Sequence, residues 1–324
     1  MNRRTFLQLG ASAAVAATLA ACAPRAGRSA AATEFDAAGF TAARRYQQTR
    51  FGRIAYVEQG SGPAALFLHG FPLNSFQWRG ALPRLAPLRR CIAPDFLGLG
   101  YSEVATGQSV APAAQAEMLA ELLDRLGVDS IDLVANDSGG AVAQLFLIRY
   151  PQRVRSLLLT NCDVETDSPP PAVVPVIEAA RAGRFADDTF HPQLADKQFA
   201  RSAEGIGGLC YTYPQNPDDE TIDYYFTPLV ASPQRSALTN AYAAALDPNP
   251  LAGVAASLRG CSQPARILWG EGDTIFQQAS ADYLHQLLPG SRGIRRVPAA
   301  KLFFPEEFPD LIAEEARRLW TAVG

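Results

Sequence analysis

LVANDSGGAVA, residues 133–143, decides the reading of this chain. An apolar run (Leu133–Ala135) meets Asn136, then an acid and a hydroxyl side by side, Asp137 and Ser138, then a glycine pair followed by a helix-forming stretch. A strand that turns sharply into a helix presents the residue at the turn, and the positions two before and two after it must be small. Centred on Asp137 those positions are Ala135 and Gly139, whereas centred on Ser138 they are Asn136 and Gly140. Asparagine fits the tight position poorly, so the spacing selects Asp137 as the presented side chain.

Outward from this turn, strand and helix patterns alternate. RIAYVEQG, AALFLHG, RCIAPDFLG, SIDLVAN, VRSLLLTNC, ARILWG and GIRRVP read as strands. AAQAEMLAELLDRLG, GGAVAQLFLIRYP, ASADYLHQLLPG and PDLIAEEARRLWTAV read as helices. Short apolar strands alternating with helices predict an α/β fold, with a mostly parallel sheet covered on both faces. Residues 46–162 form the first half of that core and 236–324 the second. The intervening 163–235, opening with SPPPAVVP and rich in Asp, Tyr and Pro, is too long for a loop and is read as an inserted helical cap.

Four segments, LFLHGFP, DFLGLGYSE, ANDSGG and WGEGD, stand in the order and spacing of the α/β-hydrolase superfamily, which the chain resembles from Arg45 to Gly324. An aspartate at the turn resembles the branch containing haloalkane dehalogenases and epoxide hydrolases. That resemblance implies that Asp137 attacks carbon and forms an ester. It implies that the backbone N–H groups of Phe71 and Ser138 form an oxyanion hole. Asp273 matches the acid that orients a histidine; Asp163 and Glu165 follow the preceding strand, where some relatives place it. His69, Asn136, Asn161, Tyr211 and Tyr213 are the candidates for the substrate pocket, the tyrosines as proton donors of the epoxide-hydrolase kind. Ser138 stands where dehalogenases carry tryptophan, which disfavours dehalogenation.

One part of the pattern departs. The branch carries its histidine in a stretch like G-H-F-x-P-E-x-x-P, and here KLFFPEEFP (301–309) places Leu302 at that position. The chain has three histidines, His69, His191 and His285. Losing a positioned base costs on the order of 10²–10⁴ in rate. Three readings follow: Asp137 acts as a general acid or base in a lyase or isomerase step; a cap group (His191, Tyr211, Tyr213, Tyr224, Tyr225) or Glu306/Glu307 replaces the imidazole; or the fold is a silent binding module. A carboxyl enclosed without a base is expected to titrate high through desolvation.

Composition bounds the partners. The 324 residues are 48% hydrophobic and 19% charged, with net charge −3, which argues against a nucleic-acid partner; the resemblance implies a small, largely apolar substrate. No cofactor or metal is required, and Cys91, Cys162, Cys210 and Cys261 are too widely spaced for a metal site and read as free buried thiols. Residues 1–21 read as a twin-arginine export signal (Arg3, Arg4), whose end runs into Cys22 as LAAC, residues 19–22; 22–45 read as a tether. The expectation is a periplasmic lipoprotein, held at the membrane through a lipid on Cys22. Metabolic labelling with radioactive palmitate is expected to mark the native chain and to fail for Cys22→Ser; equal labelling of both would reject the anchor.

Overall fold

A computed structural model describes residues 35–105 and 107–321. The export signal, Cys22 and the first part of the expected tether lie outside the described residues. Among the described residues the sheet has nine strands: β1 Arg44–Thr49, β2 Gly52–Gln59, β3 Ala64–Leu68, β4 Arg90–Pro94, β5 Glu103–Val104, β6 Ile131–Asp137, β7 Val154–Cys162, β8 Ala265–Gly270 and β9 Ser291–Val297. Their order is β1-β2-β4-β3-β6-β7-β8-β9, with β5 beside β2. Pairing is parallel from β4 to β9 and antiparallel at β1–β2, β2–β4 and β2–β5.

Every residue of β3 and β6 is buried. Helices cover both faces of the central strands, so both side-chain directions must be apolar, and these strands read as runs without alternation. The helix Pro112–Arg125 turns Met118, Leu119, Leu122 and Leu123 inward. Burying each such side chain contributes roughly 1.5–3 kcal/mol. Gly127 closes it at φ +65°, where a side chain would be strained.

Two expected boundaries move. The tether was expected to run to residue 45, but Ala37–Ala43 is a helix capped by the Asp36 side chain, with Phe40 fully buried, and Arg44 begins β1. β1 (RRYQQT) is an edge strand most of whose polar side chains are at least partly exposed, so it lacks the apolar signature of the inner strands. The cap was expected to end at 235, which falls in the first turn of the helix Pro233–Ala244. That helix belongs with Val174–Arg181, Phe185–Ala195 and Asp219–Val230, on which it packs.

In open parallel sheets, ligands bind beyond the carboxyl ends of the strands. Here those ends deliver His69–Phe71 after β3, Asp137 and Ser138 at the end of β6, Asp163 after β7 and Asp273 after β8. The turn from β6 into the helix Ser138–Arg149 depends on close backbone approach. A Cβ on Gly139 would lie 2.5 Å from the His69 carbonyl oxygen and 2.8 Å from that of Leu68. Gly139→Ala is therefore expected to cost about 1–3 kcal/mol and to lower Tm by about 2–4 °C for each kcal/mol. An unchanged melting curve would mean that the β3 carbonyls can retreat.

Candidate active site

Asp137 sits at φ +55°, ψ −134°, a conformation that costs a non-glycine residue about 1–3 kcal/mol and is retained only where its surroundings enforce it. Gly139 allows the helix to press against β3, and Gly140 lies against Cys162 of β7, where a Cβ would meet the Cys162 Cβ at 2.3 Å. The result is a buried carboxylate, 7% exposed. The Phe71 N–H donates to its Oδ2 at 2.8 Å, and the Ser138 N–H also bonds the group. A Cβ on Gly70 would lie 2.5 Å from Oδ2, so the loop after β3 reaches the carboxylate only because that position is bare. Desolvation pushes the Asp137 carboxyl well above the ordinary range; nearby Asp163 raises it further, against the pull of the two N–H donors. The two donors expected of an oxyanion hole thus meet at Asp137.

A cavity of about 330 Å³ opens over this carboxylate, at the lower end of the size that holds a small ligand. Its walls are mainly apolar, from Phe71, Val173, Val176, Phe185, Phe190 and Ile206, and most come from the cap and the loop leading into it. Polar groups enter at a few points: Asp137, Ser138, Asp163 and Thr274 on the sheet side, Thr189, Gln193 and Glu204 from the cap. Leu302, in the segment whose pattern departs from the expected histidine, lines the same cavity. Tyr242 was not anticipated. Its hydroxyl lies 3.0 Å from Ser138 Oγ and its ring stacks on Phe71, centroids 5.4 Å apart. Its only sequence signal was an aromatic in a helix past the expected cap boundary.

The expected pocket residues do other work. His69 is buried: its Nε2 accepts the Phe96 N–H at 3.0 Å, which leaves Nδ1 to donate to the Gly70 carbonyl at 2.9 Å. Burial lowers its pKa, so it is a neutral brace of the loop. Asn136 does not line the cavity. Its Nδ2 donates to Thr160 Oγ1, the Asn161 carbonyl and the Leu302 carbonyl, and its Oδ1 accepts from Gln77 Nε2 at 2.7 Å. Asn161 joins β7 to β8 through Gly270 and donates to Asp273 Oδ2 at 2.7 Å. Asp273 itself, expected as the second acid, is held by Asn161 and the Ile275 N–H behind the cavity wall. Tyr211 bonds Glu306 outside the cavity, and Tyr213 is 57% exposed. His191 pairs with Asp187 and His285 with Ser291, both at the exposed surface. Glu165 accepts the N–H groups of Gly253 and Ala255. The four cysteines 91, 162, 210 and 261 are free and buried.

Comparison with known proteins agrees with this fold. The profile of the alpha/beta hydrolase fold family matches residues 63–308. Haloalkane dehalogenase 2 of Mycobacterium tuberculosis is 37% identical over 110 residues, 34% of this chain and 38% of that protein. A 2-hydroxy-6-oxo-2,4-heptadienoate hydrolase of Pseudomonas putida is 38% identical over 103 residues, 31% of this chain and 37% of that one. The chain thus spans little more than a third of the length of the curated relatives it matches. Among solved structures, an epoxide hydrolase without ligand superposes with TM-score 0.71 at 20% identity, covering 87% of this chain and all of that one; at that identity the likeness is one of fold. An esterase from Thermogutta terrifontis superposes with TM-score 0.67 at 25% identity, over 86% and 98% of the two chains.

A buried polar network ties the cap to the loop that carries Leu302. Arg79 donates to Glu306 Oε1 at 2.6 Å, while the hydroxyls of Tyr211 and Tyr225 both donate to Oε2 at 2.8 Å. Glu307, the next residue, accepts the N–H groups of Thr212 and Tyr213. Tyr224, the remaining cap tyrosine, points instead to Arg44. Arg79 and Glu306 are 15% and 4% exposed, so removing one charge strands the other in a dry place. Glu306→Gln is expected to cost about 3–5 kcal/mol, measured by urea unfolding. A loss below about 1 kcal/mol, the size of a surface pair, would show the network to be solvated.

Proposed function

The chain belongs to the α/β-hydrolase fold family, and on that premise we propose that it is a hydrolase whose reacting group is the Asp137 carboxylate, acting on a small, largely apolar molecule. The observation that carries this reading is the strained backbone of Asp137 at the end of β6, beneath an apolar cavity and against the N–H of Phe71. Strain of this kind persists only where the surrounding structure over-determines it, and it clusters at reacting groups. Ser138, the rival side chain, bonds Tyr242. With Oδ2 held by Phe71, Oδ1 is the oxygen left to attack a substrate carbon. The ester that results places its carbonyl oxygen in the Phe71–Ser138 donor pair. When water adds at Cγ, those two donors stabilise the oxyanion. The apolar walls keep bulk water from the charged groups and favour a substrate with little polar surface.

Export by the twin-arginine route and anchoring through Cys22 are part of the same proposal. They rest on the N-terminal motifs alone. An enzyme held at a membrane surface by its lipid meets apolar molecules where they partition.

Two measurements follow from Asp137. Asp137→Asn is expected to lose turnover of a panel of epoxides, esters and haloalkanes by on the order of 10³-fold or more, with a mass adduct on residue 137 in the native chain only. Persistent turnover in the variant would sink the reading. Stability gives a check that needs no substrate. A carboxyl whose folded pKa lies above its unfolded value binds its proton more tightly in the folded state. Stability is then lost as pH rises from the ordinary carboxylate value through the raised one. Asp137→Asn should therefore be more stable than the native chain near neutral pH, and the gap should close towards pH 3.

A further inference from the structure

The cavity holds a second carboxylate with the means to complete the reaction that Leu302 leaves without an imidazole. Asp163 lines the same cavity as Asp137 and is buried. Cys162, its chain neighbour, is the register partner of Asp137 across β6 and β7, so the two acids leave adjacent strands one residue apart. Ser168 Oγ donates to Asp163 Oδ1 at 2.7 Å and steadies the group. Other titratable groups at the cavity do not suit the task. Glu204 is exposed at its edge. The Cys210 thiol is pushed well up by burial and by Asp273, and stays protonated.

We infer that Asp163 is the second reacting carboxylate, sharing one proton with Asp137 and moving it in both halves of the reaction. The inference rests on Asp137 being the nucleophile. In the first half, Asp137 Oδ1 forms a bond to the substrate carbon, the carbon–oxygen bond of the leaving group breaks, and that oxygen takes the proton from Asp163. In the second, the ionised Asp163 takes a proton from water as its oxygen adds to Cγ of the Asp137 ester. The bond from Cγ to the alkyl oxygen then breaks, the departing alkoxide takes that proton back, and the water's remaining proton stays on Asp137. One proton is again shared by the pair, and the net reaction consumes one water. One carboxyl switching between acid and base is sound chemistry where two carboxyls face one substrate.

The electrostatics place the shared proton on Asp137 at rest, so it passes to Asp163 before Oδ1 attacks. Two carboxyls in one dry cavity resist ionising together, so protons leave the pair in separate steps. Asp163 is pushed up to about 6, chiefly by burial, and the charge of Asp163 is the second cause that raises Asp137. The other groups acting on the pair are Asp167 beside Asp163, Asp273 behind Asp137, and the neutral Cys162, Cys210 and Tyr242. None of these supplies a positive charge.

The test has two arms on the full chain. In a carbon-13 carboxyl titration, Asp163→Asn is expected to move the Asp137 transition to lower pH, because the like charge is gone; an unmoved transition overturns the inference. In rapid-quench mass spectrometry with styrene oxide, the native chain should release its Asp137 ester. Asp163→Asn should accumulate it, with release slowed on the order of 10²-fold or more, and formate should partly restore release to Asp163→Ala. Release from Asp163→Asn within twofold of native overturns the role of Asp163 while leaving Asp137 as nucleophile. Hydrolysis that survives Asp137→Asn sinks the earlier reading instead. Where the native chain leaves styrene oxide intact, the titration alone decides.

Discussion

The contact on which the rest depends is the Gly139 backbone pressed against the carbonyls of Leu68 and His69. It holds the end of β6 so close to β3 that the chain must turn sharply, and Asp137 takes a left-handed conformation because no relaxed one fits. The same closeness brings the Phe71 N–H within 2.8 Å of the carboxylate. One packing constraint thereby sets the strain, the burial and the hydrogen bonding of the central acid.

Around that point the polar groups divide by depth. Those beneath the turn are satisfied and fixed: Asn136 gathers Thr160, Gln77 and the Leu302 carbonyl, and Asn161 binds Asp273 to the β8 end. Buried polar groups left unpaired cost about 1–3 kcal/mol each, so such residues become structural knots when partners lie within reach. Those above it, Asp137, Asp163 and Ser138, face a cavity whose other walls are mainly apolar. The two acids are raised chiefly by desolvation, and Asp137 further by Asp163. The cap supplies most of the apolar cover and, through Tyr242, a hydroxyl against Ser138.

Local patterns carried much of the architecture. β3 and β6, with apolar side chains on both faces, were legible as short buried runs, and the helix Pro112–Arg125 by its period. β1 was not, because an edge strand with polar side chains looks like a linker. The cap boundary was misplaced for a related reason: Pro233 reads as a break, yet it opens a helix whose last turn returns to the site. The pocket candidates failed together. His69, Asn136, Asn161 and Tyr211 stand in or near the right segments, but a polar residue's position in a motif does not say whether its hydrogen bonds point to the cavity or to its neighbours.

What the amino-acid order determined by itself was the alternation of buried strands and helices and the small residues that permit the turn at Asp137. These are properties of spacing and residue type, and they survive without coordinates. What only the tertiary structure decided was which acids share a cavity. Asp273 and Asp163 follow neighbouring strands, and the motif favours Asp273; folding closes that acid behind Asn161 and opens Asp163 to the cavity of Asp137. The reason is that desolvation and proximity depend on distances between segments far apart in sequence, and no local pattern encodes them.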